Sequence, residues 1–378
     1  MPSTPWWRAR RDALLALAAD RTPRYVYSLD TVRQRARALR AAVPADRVLY
    51  AVKANDHADV LRAVVAEGLD LECVSVYEIE HVLATLPDVP AGRVLYTPNF
   101  AGRAEVARAL ALGVHATVDN AATLDAWPEV WGGHEVSVRV DPGVGKGHHD
   151  HVKTAGDASK FGVSPADLPA LAEAARRHGV RVVGLHAHVG SGFDEADVWA
   201  DNARLLGRLA GELFPDVRHV NVGGGIPVPT GGAPPYDLDA AGRALGEARG
   251  AFPGLAVWIE PGRFLVAEAG VLLARVTQVK RKGAVRYVGL DAGMNSLIRP
   301  ALYGAYHDVV NLTRLDAPAA GPAEIVGPIC ESSDVLARAR PFPETEEGDV
   351  VLVDTAGAYG FVMASHYNRR PPAEEATL

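Results

Sequence analysis

From about residue 24 to 262, short apolar runs alternate with alanine-rich runs of good helix formers. Strands are expected at Tyr25–Ser28, Val48–Val52, Glu72–Ser75, Arg93–Tyr96, His115–Val118, Glu135–Val140, Arg181–Ala187, His219–Val222 and Ala256–Glu260. Repeated strand–helix units build a mostly parallel sheet with right-handed crossovers. About eight such units suit a (β/α)8 barrel better than a short open sheet. The alternation alone leaves a doubly wound sheet as the competing architecture. From about residue 265 the texture changes. Val271–Val279, Ala284–Asp291, Glu324–Val326 and Asp349–Asp354 read as β-rich pieces separated by Gly and Pro. They predict a second, mainly antiparallel domain. The expected division is an N-terminal arm over 1–23, a barrel over 24–264 and a β-rich domain over 265–378. Pro371–Leu378 reads as a loose tail.

A chain of 378 residues can bury two cores. Its formal charge of -7, from 39 basic and 46 acidic residues, gives it no electrostatic reason to seek nucleic acid or an anionic membrane. No segment approaches the roughly 20 apolar residues that span a bilayer, and the N-terminus lacks a signal-peptide core. Cys73 and Cys330 are too few for a disulfide framework or a four-thiolate zinc site. A cytoplasmic enzyme is the simple expectation.

In a β/α barrel the reactive groups lie at the C-terminal ends of the strands. Lys53 closes Tyr50-Ala51-Val52-Lys53-Ala54-Asn55. There it is either a solvated lysine or an amine kept neutral for Schiff-base chemistry. His186 and His188 share one face of a strand. They could hold zinc, stack on an aromatic ligand, or form a core pair. Gly223-Gly224-Gly225 lets backbone N–H groups approach an anion, or is simply a mobile turn. Glu260-Pro261-Gly262-Arg263 suits a ligand with cationic and anionic ends, or makes a local ion pair. His148, His149 and His151 have no accompanying carboxylate framework, so a polar loop is preferred and no metal is expected. Trp6 and Trp7 are read as packing for the N-terminal arm rather than a partner surface.

Taken together these pieces resemble a known family. The lysine motif, His186-x-His188-x-Gly190-Ser191, Gly223-Gly224-Gly225 and Glu260-Pro261-Gly262-Arg263 stand in the order seen in fold-type III decarboxylases that use pyridoxal 5'-phosphate. Arg299-Pro300-Ala301-Leu302-Tyr303, Gly327-Pro328-Ile329-Cys330-Glu331-Ser332-Ser333-Asp334 and Gly357-Ala358-Tyr359 follow. The full set resembles diaminopimelate decarboxylases, in particular the decarboxylase part of bifunctional aspartate kinase–diaminopimelate decarboxylases. The likeness covers about residues 22–370.

The resemblance implies an alanine-racemase-like architecture, a barrel followed by a β domain. It implies a homodimer with shared active sites and conversion of meso-diaminopimelate to L-lysine and CO2, acting at the D-configured centre. It implies that Lys53 carries the cofactor covalently and that His188 stacks on its ring. Gly223, Gly224 and Gly225 would cradle the phosphate, helped by Gly262 and Arg263, Ser191 would touch the cofactor, and Glu260 would pair with the pyridine nitrogen. Cys330 would be the general acid, set across the dimer interface from Lys53. Arg263, Arg299, Tyr303 and Glu331 would hold the far end of the substrate, and Tyr359 would touch substrate or phosphate.

The physical chemistry agrees with these roles. A carboxylate favours the protonated ring, a thiol is mostly protonated at neutral pH, and arginines take carboxylates bidentately. The sequence departs from the family pattern at Gly192, at Thr97-Pro98-Asn99-Phe100 and in the His- and Gly-rich loop 143–160. None of these is expected to touch the chemistry, but they leave a related carboxylate-tailed amino acid as the alternative substrate. A fold-type III racemase would need a tyrosine base in place of the Cys330-Glu331 pair. A non-catalytic homologue would have lost Lys53, Glu260 or Cys330, and all three are present.

Overall fold

The structure is a computed structural model and describes residues 4–143 and 159–378. The chain divides into two compact units. One comprises Arg35–Pro227 with Tyr236–Gly262, the other Met1–Gln34, Val228–Pro235 and Arg263–Leu378.

The strands in chain order begin with β1 (Arg24–Tyr27), β2 (Arg47–Ala51), β3 (Asp70–Cys73) and β4 (Val94–Tyr96). They continue with β5 (His115–Val118), β6 (Glu135–Arg139), β7 (Arg181–His186), β8 (His219–Asn221) and β9 (Ala256–Ile259). Strands β2 to β9 pair in sequence order, all parallel, and β9 closes on β2. The competing open sheet is thereby excluded. Helices begin where the sequence offers caps. Ser75 accepts from the Glu78 N–H at the start of Val76–Thr85, while the Glu78 carboxylate takes the Val74 N–H. Asp237 accepts from Ala240 N–H at the start of Leu238–Gly250. The N-terminal ends of the strands are filled by polar aromatics. His219 stacks on Trp258 at 3.6 Å between ring centres, and Ser137 links His219 to His115.

The second unit holds an eight-stranded mixed sheet. Its further strands are β10 (Gly270–Lys282), β11 (Val285–Leu290), β12 (Val309–Asn311), β13 (Pro322–Val326), β14 (Val335–Pro341), β15 (Val350–Val353) and β16 (Glu374–Thr377). The main order is β12-β15-β10-β11-β13-β14. Two segments depart from the sequence expectations. The run at Tyr25–Ser28, read as the first barrel strand, is β1, which pairs antiparallel with β10 and parallel with β16. All four residues of β1 are buried, so periodicity could not tell which sheet they enter. The segment read as a loose tail supplies β16, held by main-chain pairing to β1. The N-terminal helix Arg11–Asp20 also belongs to this unit. Trp7, Leu14, Ala18 and Val26 share a core with Val271, Leu273 and Leu352. Trp7 is therefore a packing residue, as expected. Among the described residues no helix is long and apolar enough to cross a membrane.

Candidate active site

The barrel gathers its ionisable residues at the C-terminal ends of its strands. Lys53 lies just beyond β2, in the single turn Val52–Ala54. Its Nζ is 2.8 and 3.1 Å from the two carboxylate oxygens of Glu72. Glu72 is only 1% exposed and also accepts from the Thr97 hydroxyl. Sequence reasoning missed Glu72. The signal was present: an acid set between the apolar Leu71 and Cys73, in the buried part of its strand. The Thr97–Phe100 stretch had been set aside as remote from the chemistry. Thr97 instead fixes the carboxylate that holds Lys53.

Glu260 follows β9 and is buried. The Asn221 amide donates to one of its oxygens at 2.7 Å, and His186 Nε2 lies 3.2 Å from the other. Burial alone raises a carboxyl pKa. Here the His186 hydrogen bond and the nearby Lys53 outweigh burial, so Glu260 is held ionised. The two histidines thus do different jobs. His188 Nδ1 accepts from the Gly224 N–H at 3.3 Å. Burial, then Arg139 and Lys53, push the His188 pKa down to about 3, which keeps its ring neutral. Arg139, buried at the end of β6, was also missed by sequence reasoning. Among the described residues no group of three or more His, Cys, Asp or Glu could hold a metal ion. His148, His149 and His151 lie outside the described residues.

The three glycines form a built concavity. A Cβ on Gly224 would stand 2.1 Å from the Glu260 carbonyl oxygen, and one on Gly225 would stand 2.4 Å from that of Gly190. Gly223 and Gly225 also have φ of +76° and +101°, which disfavour any side chain. Their carbonyls are all engaged: Gly223 by Glu260 N–H, Gly224 by the Trp199 indole and Gly225 by Gly192 N–H. Among the described residues the N–H groups of Gly225 and Ile226 have no acceptor, an arrangement that suits an anion. Gly192, one of the departures from the family pattern, helps to hold this turn. Ser191 sits beside it, and Gly262 packs against Ala51 and Ala54 with no room to spare.

The second unit carries the remaining candidates. The chain re-enters it at Arg263, whose guanidinium lies 4.9 Å from the Tyr359 ring centre. Tyr359 holds a left-handed φ of +57°, a strained conformation for a tyrosine. Arg299 and Tyr303 begin and end the short helix Arg299–Tyr303. Arg299 is 8% exposed, yet no carboxylate pairs with it among the described residues. Burial, then Arg263, lowers its pKa to about 10. Cys330 and Glu331 are exposed on the loop between β13 and β14. That loop is pinned from below: the buried Asp334 carboxylate accepts from Met294 N–H at 2.6 Å and Ile329 N–H at 2.7 Å. Cys73, by contrast, is a buried core residue whose thiol pKa is driven up by burial.

A lysine, a buried carboxylate held ionised and a glycine turn with backbone N–H groups to spare, at one end of a closed barrel, fit pyridoxal 5'-phosphate. Residues 29–267 match the pyridoxal-binding domain of the pyridoxal-dependent decarboxylases, and the chain belongs to that class. Within it, similar proteins include diaminopimelate decarboxylases. That of Methanothermobacter thermautotrophicus is 37% identical over 93% of this chain and 86% of its own. That of Streptomyces coelicolor is 36% identical over 97% and 86%. The crystal structure of the Helicobacter pylori enzyme, complexed with L-lysine, superposes with a TM-score of 0.88 at 29% identity, covering 95% of this chain and 92% of that one. The particular family is thus that of the diaminopimelate decarboxylases.

Proposed function

We propose that this chain removes CO2 from the D-configured carbon of meso-2,6-diaminopimelate and yields L-lysine, a step of lysine biosynthesis. The observation that carries the substrate is Arg299. A buried guanidinium with no acid beside it calls for an anion from outside. Diaminopimelate brings a second carboxylate, whereas lysine and ornithine have none at that end. Arg263, in the same unit, adds a second cation.

Bound at Lys53, pyridoxal 5'-phosphate supplies an electron sink for the pair left behind when CO2 departs. Glu260, held ionised, keeps a proton on the ring nitrogen. His188 stays neutral and offers an uncharged face to the ring. Ser191, Gly223, Gly224, Gly225, Gly262, Arg263 and Tyr359 hold the phosphate side. Glu72 receives the Lys53 ammonium whenever the amine is released. Arg263, Arg299, Tyr303 and Glu331 bind the far carboxylate and ammonium, with Tyr359 against the substrate. Cys330 Sγ delivers the proton to the carbon that lost CO2.

Exposure of Cys330 and Glu331 in the single chain supports a homodimer in which each chain lends this loop to its partner's site. The two unpaired cysteines support a reducing, cytoplasmic setting.

The test is CO2 release from purified holoenzyme given meso-diaminopimelate, L-lysine and L-ornithine in parallel. Release from diaminopimelate alone, lost in Cys330→Ala, is the expected result. A holoenzyme silent on all three would overturn the substrate. Visible cofactor absorbance that survives in Lys53→Ala unchanged would overturn the attachment.

A further inference from the structure

Arg299 is held in place without losing its charge. Its Nη1 donates to Nε2 of His307 at 3.2 Å. The other ring nitrogen of His307, Nδ1, lies 2.9 Å from the backbone oxygen of Asp354. A carbonyl oxygen only accepts, so Nδ1 carries the proton and Nε2 presents its lone pair to the guanidinium. His307 is 1% exposed, and its burial, then the charge of Arg299, press its pKa down to about 4. The imidazole is therefore a neutral acceptor. The nearest acid on its anchor is turned elsewhere: the Asp354 carboxylate takes the Trp7 indole N–H at 2.8 Å and the Thr355 N–H at 2.6 Å.

An aspartate or glutamate in place of His307 would grip Arg299 more tightly, because charge-assisted bonds are the strong ones. It would also cancel the positive charge that an incoming carboxylate needs. A neutral ring orients the guanidinium fork and leaves the charge whole.

We propose that His307 is a positioning residue for substrate specificity, one that aims Arg299 at the second carboxylate of the substrate while leaving the guanidinium unneutralised. This rests on the diaminopimelate reading above. The test is the isosteric pair His307→Gln and His307→Glu, which differ only in whether the acceptor is charged. Both holoenzymes are checked for fold by thermal melting, and kcat and KM are measured separately with meso-diaminopimelate. The Gln variant is expected to keep KM within about threefold of wild type. The Glu variant is expected to raise KM about tenfold or more with kcat nearly unchanged, since one lost charged hydrogen bond corresponds to roughly that factor. Equal KM changes in the two variants, or failure of both to fold, would make His307 a packing residue and overturn the proposal. If wild type does not act on diaminopimelate, the substrate reading fails separately. The same contrast is then read from glutarate affinity by calorimetry, where Gln must exceed Glu for the proposal to stand.

Discussion

The barrel and the β unit keep their reactive groups in opposite ways. In the barrel, Glu72, His186, Asn221 and Glu260 are buried and tied to one another or to Lys53 by short hydrogen bonds. In the β unit, Cys330 and Glu331 stand exposed, and the buried Asp334 beneath them accepts from two backbone N–H groups. The reason is architectural. Strand ends of a closed barrel converge on one another, so side chains there satisfy each other. A loop joining two strands at the end of an open sheet faces outward. On the proposed reading, the residues that would hold the cofactor are preorganised within one fold, whereas the proposed proton donor, Cys330, stands exposed on the other.

That contrast predicts separable losses, and the largest lies in the β unit. Cys330→Ala should lower kcat about 10²–10⁴-fold, the range for a lost general acid. Cofactor content and visible absorbance should not change, because Cys330 is not among the residues proposed to hold the cofactor. Loss of bound cofactor in this variant would erase the division of labour.

A smaller effect is expected from the barrel side. Glu260→Gln keeps the shape and the Asn221 contact but gives up the charge. About 10²-fold in kcat is expected, with cofactor still bound, as for removal of one preorganised electrostatic group. Cofactor content assayed beside turnover checks this. Unchanged kcat would mean that the ring nitrogen is served by another group.

These variants also mark what the sequence made legible. Lys53 and Glu260 stand out because each ends an apolar strand, though taken alone each also fits a bland reading, a solvated lysine and a local ion pair; only their order along the chain joined them. Arg299 and Cys330 were readable only through the family likeness, since nothing local predicts what an exposed loop or a short helix will face. Glu72 and Arg139 sat in plain view as charges at the buried ends of mostly apolar strands, but strand alternation alone does not say which face a short buried strand turns inward. The first strand and the last went astray for a related reason. Tyr25–Ser28 and Pro371–Leu378 meet across almost the whole length of the chain, and no local pattern encodes a pairing so distant.

A third prediction tests how the exposed loop is held. Asp334 accepts two backbone N–H groups, and its neighbours leave no slack. A Cβ on Gly293 would lie 2.5 Å from its carboxylate, and one on Gly327 only 2.4 Å away. Asp334→Ala removes both bonds and should cost about 3 kcal/mol in urea unfolding. Because the bonds organise the segment from Ile329 onward, kcat should fall as well, by about tenfold, while cofactor absorbance persists. A variant as stable as wild type would show that the loop is held by other contacts.

The last comparison is a difference in sign, read at one buried group in each unit. Asp354, in the β unit, has its pKa raised by burial to about 6, against the pull of its Trp7 bond. For a carboxyl raised on folding, the stability contribution is complete below the unfolded pKa and is lost as pH climbs through the folded one. Asp354→Asn should therefore match or trail wild type near pH 4 and gain on it by roughly 1–3 kcal/mol near pH 7.5. His219, at the N-terminal end of the barrel, has its pKa lowered by burial, then by His115, to about 3. The folded state refuses a proton that the unfolded chain accepts below about pH 6.5, so wild type loses stability as pH falls from there. His219→Asn gives up the Trp258 stacking and starts less stable, but its deficit should shrink by up to about 1.4 kcal/mol per pH unit between pH 6.5 and 4. Urea midpoints at four pH values, taken as variant minus wild type, should give two lines of opposite slope: rising with pH for Asp354→Asn and falling for His219→Asn. Parallel lines would mean that these two groups do not carry the proton linkage, and that the buried charges of both units respond to pH as one.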